Sequence, residues 1–194
     1  MVEAMKIPRT FGIAIVAMML GQGAALARAP SWKVDQDASH LRFQYVLQGN
    51  RLDGSFARFN AAIRFDPGDL ATSSIRVDIP LASVDAGASD RNQMLANAEW
   101  FNGAVFPTAH FVSEKITARG EGSYVATGVL EIKGTKVPVS LPFKVRINGD
   151  RATATGRLTI NRNRFRIGEG NWAKPDYVGF NVDIQIDITA HRQP

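Results

Sequence analysis

The 194-residue sequence predicts an all-β protein, an antiparallel barrel of about eight strands with one short α-helix. The clearest sign is the C-terminal stretch, where Val178, Phe180, Val182, Ile184, Ile186, Ile188 and Ala190 put an apolar residue at every second position. That period is a two-faced β-strand. Its thirteen residues span on the order of 40 Å, about twice the usual strand. A second sign is the punctuation by Gly, Asn, Asp and Pro that cuts the chain into strand-length pieces, and a third is that one segment alone has helical spacing. Tall strands present long unpaired edges, which full closure removes. An open sandwich is the alternative arrangement of the same strands.

In chain order, the first segment stands apart from the fold. Lys6 and Arg9 precede an apolar run from Phe11 to Leu20, and Ala25-Leu26-Ala27 is a small-x-small cleavage pattern. Residues 1–27 thus read as a secretory signal peptide, leaving 28–194 as a single domain of 167 residues. An apolar core this short does not suit an uncleaved anchor, since a bilayer needs about 20 residues.

Trp32 to Asp35 is a short strand, and Leu41, Phe43, Tyr45 and Leu47 share the apolar face of a second, ended by Gly49-Asn50. From Asp53 to Phe65 the apolar parity changes between Phe56 and Phe59, which calls for a bulge near Arg58 to Asn60. Ile75, Val77 and Ile79 follow the Asp66-Pro67-Gly68 turn. Met94, Leu95 and Ala98 fall at helical spacing, and Asp90 with Gln93 resembles a capping box, so Asp90 to Ala98 is the helix. After a loop over Asn102 to Thr108 come strands at Ala109 to Thr117 and Ser123 to Ile132. Gly134-Thr135 leads to the tall strand Val137 to Ile147, and the Asn148-Gly149 hairpin to Thr153 to Ile160. A Gly-rich loop, Gly168 to Pro175, precedes the last strand.

Composition narrows the chemistry. Cysteine is absent, which removes disulfides, thiolate metal sites and a lipidated N-terminal Cys. His40, His110 and His191 are widely separated and have no paired-ligand spacing, and no nucleophile-elbow pattern occurs. Gly168-Glu169-Gly170 is not followed by a helix, so it reads as a loop and not a phosphate cradle. The net charge of +5 falls to +4 once Glu3, Lys6 and Arg9 are removed, a surplus spread among many acids that gives no reason to expect nucleic-acid binding.

The segment Asn161 to Gly168 holds Arg162, Arg164 and Arg166. Leu158 and Ile160 carry the inward parity before it, whereas Phe165 and Ile167 are its apolar positions, so a bulge or bend lies around Arg162 to Arg164. Arg162 follows the inward face. Two roles are open to it: holding the polar head of a ligand at the barrel mouth, or pairing with a carboxylate such as Asp66 or Asp176.

Several motifs together resemble the YceI-like family. They are Trp32-x-Val34-Asp35 with Ser39, Gly54-x-Phe56, Ile63-x-Phe65-Asp66-Pro67, Trp100-Phe101, and Phe106-Pro107-Thr108-Ala109-x-Phe111. Further along are Gly128-x-Leu130-x-Ile132-x-Gly134, Val137-Pro138-Val139-x-Leu141-Pro142-Phe143, Asn161-Arg162-x-x-Phe165-x-Ile167-Gly168, and Gly170-x-Trp172. The resemblance runs over essentially the whole mature chain. It implies an exported, periplasmic protein with an extended lipocalin-like barrel whose tunnel holds a polyisoprenoid chain, such as a quinone tail. Leu47 stands where many relatives carry a His, and Arg164-Phe165-Arg166 where they carry Asp-Phe-Gly, which implies a more apolar pocket and a carbonyl-bearing or acidic head. The Gly170-x-Trp172 loop resembles a subgroup associated with cytochrome b-type membrane electron carriers.

The expected lining follows from the inward strand faces: Phe43, Tyr45, Leu47 and Phe56, then Phe65, Ile79, Leu130 and Ile132, then Leu141, Phe143, Leu158 and Ile160, and finally Phe180, Val182 and Ile184. Small eight-stranded barrels also fill themselves with such side chains, and most residues on such faces are simply core, so periodicity alone does not separate lining from core. Met94, Leu95 and Phe101 form either a flexible lid or a plug at one barrel end. Arg162, with Phe165 and Trp172 of the family motifs, completes the candidate site. The expected protein binds an isoprenoid lipid without transforming it and needs no cofactor. A hydrolase acting on an amphipathic envelope substrate is the alternative, and whether two barrels pair is left open.

Overall fold

Alternation of apolar and polar side chains builds the strands of the computed structural model, which describes residues 28–194. The expected signal peptide, 1–27, lies outside the described residues. The strands are β1 (Ser31–Val34), β2 (His40–Leu47), β3 (Asn50–Phe56), β4 (Asn60–Arg64), β5 (Ser74–Pro80) and β6 (Val84–Asp85). After helix α1 (Ser89–Ala96) come β7 (Thr108–Gly120), β8 (Ser123–Ile132), β9 (Thr135–Asn148), β10 (Arg151–Asn161) and β11 (Asn181–Arg192).

Eight of them form a closed antiparallel ring in the order β1-β4-β5-β7-β8-β9-β10-β11, and β11 pairs back onto β1. Closure excludes the sandwich. One edge of β11 is used twice: Asp183–Asp187 pair with β2, and Ala190–Arg192 pair with β1. Where β1 ends and β2 begins, the buried Ser39 hydroxyl takes the place of a ladder partner. Its Oγ accepts from the Thr189 N–H at 3.0 Å and donates to the Thr189 carbonyl at 3.2 Å.

The bulge expected between Asp53 and Phe65 is a complete break. β3 pairs with β2 and β6, whereas β4 pairs with β1 and β5. The chain leaves the ladder because the Ala57 N–H donates to the Ser83 carbonyl at 2.9 Å while Phe59 turns inward and is buried. As a result β3 parts from β5 in the upper half of the barrel, and the connection from Leu81 to Pro107 supplies wall there. Gly54 in β3 allows this close packing, because the Phe43 ring occupies the place a Cβ would take.

Helix α1 starts one residue earlier than the spacing indicates and has no capping box. Ala88 is its N-cap without a side-chain bond, and Asp90 sits in the first turn, where its charge favours the helix dipole. The bend around Arg162 is a 3-10 turn, Arg162–Phe165, ended by Arg166 in the left-handed region at φ 57°. β11 begins later than expected: Val178 makes one isolated bridge to Leu47, and the regular ladder resumes only at Asn181.

Candidate functional site

Inside the barrel, apolar side chains enclose two cavities of about 160 and 150 Å³. Leu41, Ile79, Leu130 and Ile184 line both, so the cavities lie end to end along the barrel axis. Since an ordered water needs two to four polar partners, hydrocarbon-walled space of this kind stays dry.

The lower cavity is walled by strands. Phe65, Leu141, Phe143 and Leu158 line it as the alternation predicts, together with Trp32, Ile63, Val77, Ile186 and Ile188. Ala152 and Ala154 leave the room that larger residues would fill. Phe65 stands edge-on to Tyr124 at 5.0 Å between ring centres and to Phe143 at 6.0 Å, an arrangement aromatic quadrupoles favour. The Trp32 indole N–H donates to the Phe65 carbonyl at 3.0 Å, tying β1 to the turn after β4.

The upper cavity mixes strand and connection. Phe43, Tyr45, Leu47, Phe56, Ile132, Ile160 and Val182 come from strands, while Met94 and Leu95 of α1 and Phe101 after it close one side. The two readings of Met94, Leu95 and Phe101 meet here: they are a wall of the cavity and leave it open within. Tyr45 Oη donates to the Ala86 carbonyl at 3.1 Å, and burial, the largest cause, raises its pKa.

Arg162 also borders the upper cavity, but its hydrogen bonds are spent on the protein. Nε donates to Gly179 O at 3.1 Å, Nη1 to Ile167 O at 2.7 Å and Gly168 O at 3.2 Å, and Nη2 to the carbonyls of Trp172, Val178 and Lys174 at 2.7, 2.8 and 3.3 Å. With five donors, the guanidinium has none left for a ligand head. The expected carboxylate partner is equally wrong, since backbone dipoles and not Asp66 or Asp176 surround the charge. The side chain is 2 % exposed, and burial lowers its pKa without removing its charge. Gly168, at φ 78°, is required here because a Cβ would collide with the guanidinium.

Phe165, Trp172 and Phe180 line neither cavity. Phe165 is fully buried in the core beside the turn it ends, Phe180 packs against the Arg162 guanidinium at 5.3 Å, and Trp172 packs on Trp100 with ring centres 5.6 Å apart. Arg164 and Arg166 are exposed and also outside both linings, so they add no charge to the pocket. Arg166 instead shares Glu169 with Lys133, at 3.0 and 2.8 Å, and the Lys133 bond above all holds the Glu169 carboxyl below the usual range. His40, His110 and His191 line neither cavity; His110 contacts Asp78 at 2.6 Å on the outer barrel face.

Sequence reasoning left out several lining residues. Leu41, Ile186 and Ile188 share the parity of Phe43 and Ile184, so alternation alone identifies them. Leu81, Ala86, Arg91 and Trp100 lie in the β5–β7 connection, and no periodicity signals their position.

A closed, tall antiparallel barrel with apolar cavities in its interior belongs to the class of barrels that can hold a hydrophobic ligand, in which recognition is mainly by shape. The chain belongs to the YceI-like family: the family's domain model matches residues 32–190. A UPF0312 protein of Enterobacter sp. strain 638 is 31 % identical over 145 residues, covering 73 % of this chain and 74 % of that one. The crystal structure of Burkholderia cenocepacia BcnA matches with a TM-score of 0.78 at 33 % identity, covering 81 % of this chain and 99 % of BcnA. A domain from Saccharophagus degradans described as polyisoprenoid-binding shares the fold, with a TM-score of 0.68 at 15 % identity over 84 % of this chain and 99 % of that one.

Proposed function

We propose that the protein binds one long isoprenoid lipid, a prenyl quinone or polyprenol, with the tail threaded through both cavities, and shields it from water during storage or delivery. The observation that carries this reading is the end-to-end arrangement of two apolar cavities in a barrel tall enough for a chain-like ligand. Each methylene moved from water into such a site contributes about 0.8 kcal/mol, so affinity accumulates along the tail without polar contacts. The polyisoprenoid-binding description of the Saccharophagus domain supports the same ligand class.

The leader-like segment 1–27 supports export to the periplasm as part of this reading. Among the described residues, no helix is long and apolar enough to cross a membrane. A membrane electron carrier of cytochrome b type is the destination this reading favours for a quinone cargo. Purification of the mature protein from its host without detergent, solvent extraction and mass spectrometry test the proposal. A near-stoichiometric prenyl quinone or polyprenol is expected. An empty extract from protein that also fails to take up added quinone overturns it.

A further inference from the structure

The two cavities meet at one level of the barrel, and four side chains lie there. Leu41 of β2, Ile79 of β5, Leu130 of β8 and Ile184 of β11 line both cavities. Other strands change cavity at the same height. On β7, Ala109 lines the upper cavity and Phe111, two residues on, the lower; on β10, Ile160 lines the upper and Leu158 the lower. Register ties these positions together, since Ile79 pairs with Ala109, Leu130 with Phe111 and Ile184 with Leu158. A ligand that reaches along the axis from one cavity into the other therefore passes between Leu41, Ile79, Leu130 and Ile184.

All four side chains are aliphatic, so this level offers a passing chain hydrocarbon contact and no polar hold. They differ in stiffness. Ile79 and Ile184 branch at Cβ and are restricted about χ1, whereas Leu41 and Leu130 branch one carbon further out and are less restricted there. Two fixed walls thus stand with two side chains that can turn aside for a chain. The backbone need not move.

We infer that Leu41, Ile79, Leu130 and Ile184 form a waist that grades ligands by chain length: a flexible tail long enough to pass it occupies both cavities, and a shorter one is held in one cavity alone. This rests on the lipid-binding reading and adds to it the residues that set which tails the barrel prefers. Each methylene carried past the waist raises affinity about fourfold, so the preference is steep once the waist is crossed.

The test measures uptake of ubiquinones with two, four and eight isoprene units, supplied in the same neutral vesicles, by lipid-free wild type, Leu130→Phe and Leu130→Ala. The ratio of variant to wild-type affinity at each tail length cancels the ligand's own hydrophobicity. With Leu130→Phe, which narrows the waist, that ratio stays within about twofold of one for the shortest tail and falls about tenfold or more for the longest. With Leu130→Ala, which widens it, entry and release of the longest tail both speed up severalfold while those of the shortest are unchanged. A Leu130→Phe ratio that is the same at all three lengths, or Leu130→Ala rates equal to wild type for the longest tail, overturns the inference and leaves the lipid site standing. Where Leu130→Phe does not fold, the Leu130→Ala rates decide alone. Failure of the wild type to take up any of the three overturns the lipid-binding reading as well.

Discussion

The two halves of the barrel interior are built by different means. The lower cavity is a continuous hydrogen-bonded wall in which alternation alone decides what faces inward, and aromatic rings pack edge to face. The upper cavity is walled partly by α1 and by irregular chain, and one buried cation organises the 162–180 loop above it. Regular structure makes a rigid slot from local sequence, whereas the mouth depends on a few long-range polar contacts. Substitutions in the two halves therefore fail differently.

The sharpest way to break the comparison is Arg162→Met. It strands the buried carbonyls of Ile167, Gly168 and Val178, each unpaired acceptor costing about 1–3 kcal/mol, and leaves the part-buried carbonyls of Trp172 and Gly179 to solvent, so a loss of about 4 kcal/mol is expected. Hydrogen exchange should rise across residues 163–180 and remain slow in β8 to β10. Equal acceleration throughout would mean that the two halves do not unfold separately.

Phe143→Ala probes the lower half. Removing a buried ring from the aromatic cluster costs about 3 kcal/mol in chemical denaturation and enlarges the lower cavity, which should admit a longer prenyl tail without changing exchange in the upper loops. Ser39→Ala tests the seam where β11 changes partner. The Thr189 N–H loses its acceptor and the cost is about 1–2 kcal/mol, read as a lower midpoint with an unchanged denaturant slope.

Acid gives the smallest effect, through Glu169 beside the 162–180 loop. The Glu169 carboxyl has a folded-state pKa below its unfolded one, because Lys133 and then Arg166 donate to it. Its contribution is complete above the ordinary carboxylate pKa of about 4.3 and is lost as pH falls through the lower, folded value. Acid titration of the thermal midpoint should show this loss in wild type and not in Glu169→Gln.

Alternation made the strand-borne part of the site legible. Phe43, Tyr45, Leu158 and Val182 point inward because a two-residue period admits no other choice once one face is apolar. The same logic misplaced Phe180, which carries the right parity but sits where the ladder of β11 is interrupted and meets Arg162 instead. Phe165 and Trp172 were misplaced for a related reason. In a turn or loop no period ties a side chain to a face, so apolar character says that a residue is buried but not against what.

By itself the sequence determined the all-β class, most strand positions and part of the strand-borne lining of the lower cavity, because these follow from local period and turn chemistry. Only tertiary structure decided that β11 shares one edge between β1 and β2 and that Arg162 spends its donors on six carbonyls. These depend on where irregular segments 81–107 and 162–180 come to rest, which is set by contacts between residues far apart in the chain and leaves no local trace in composition or spacing.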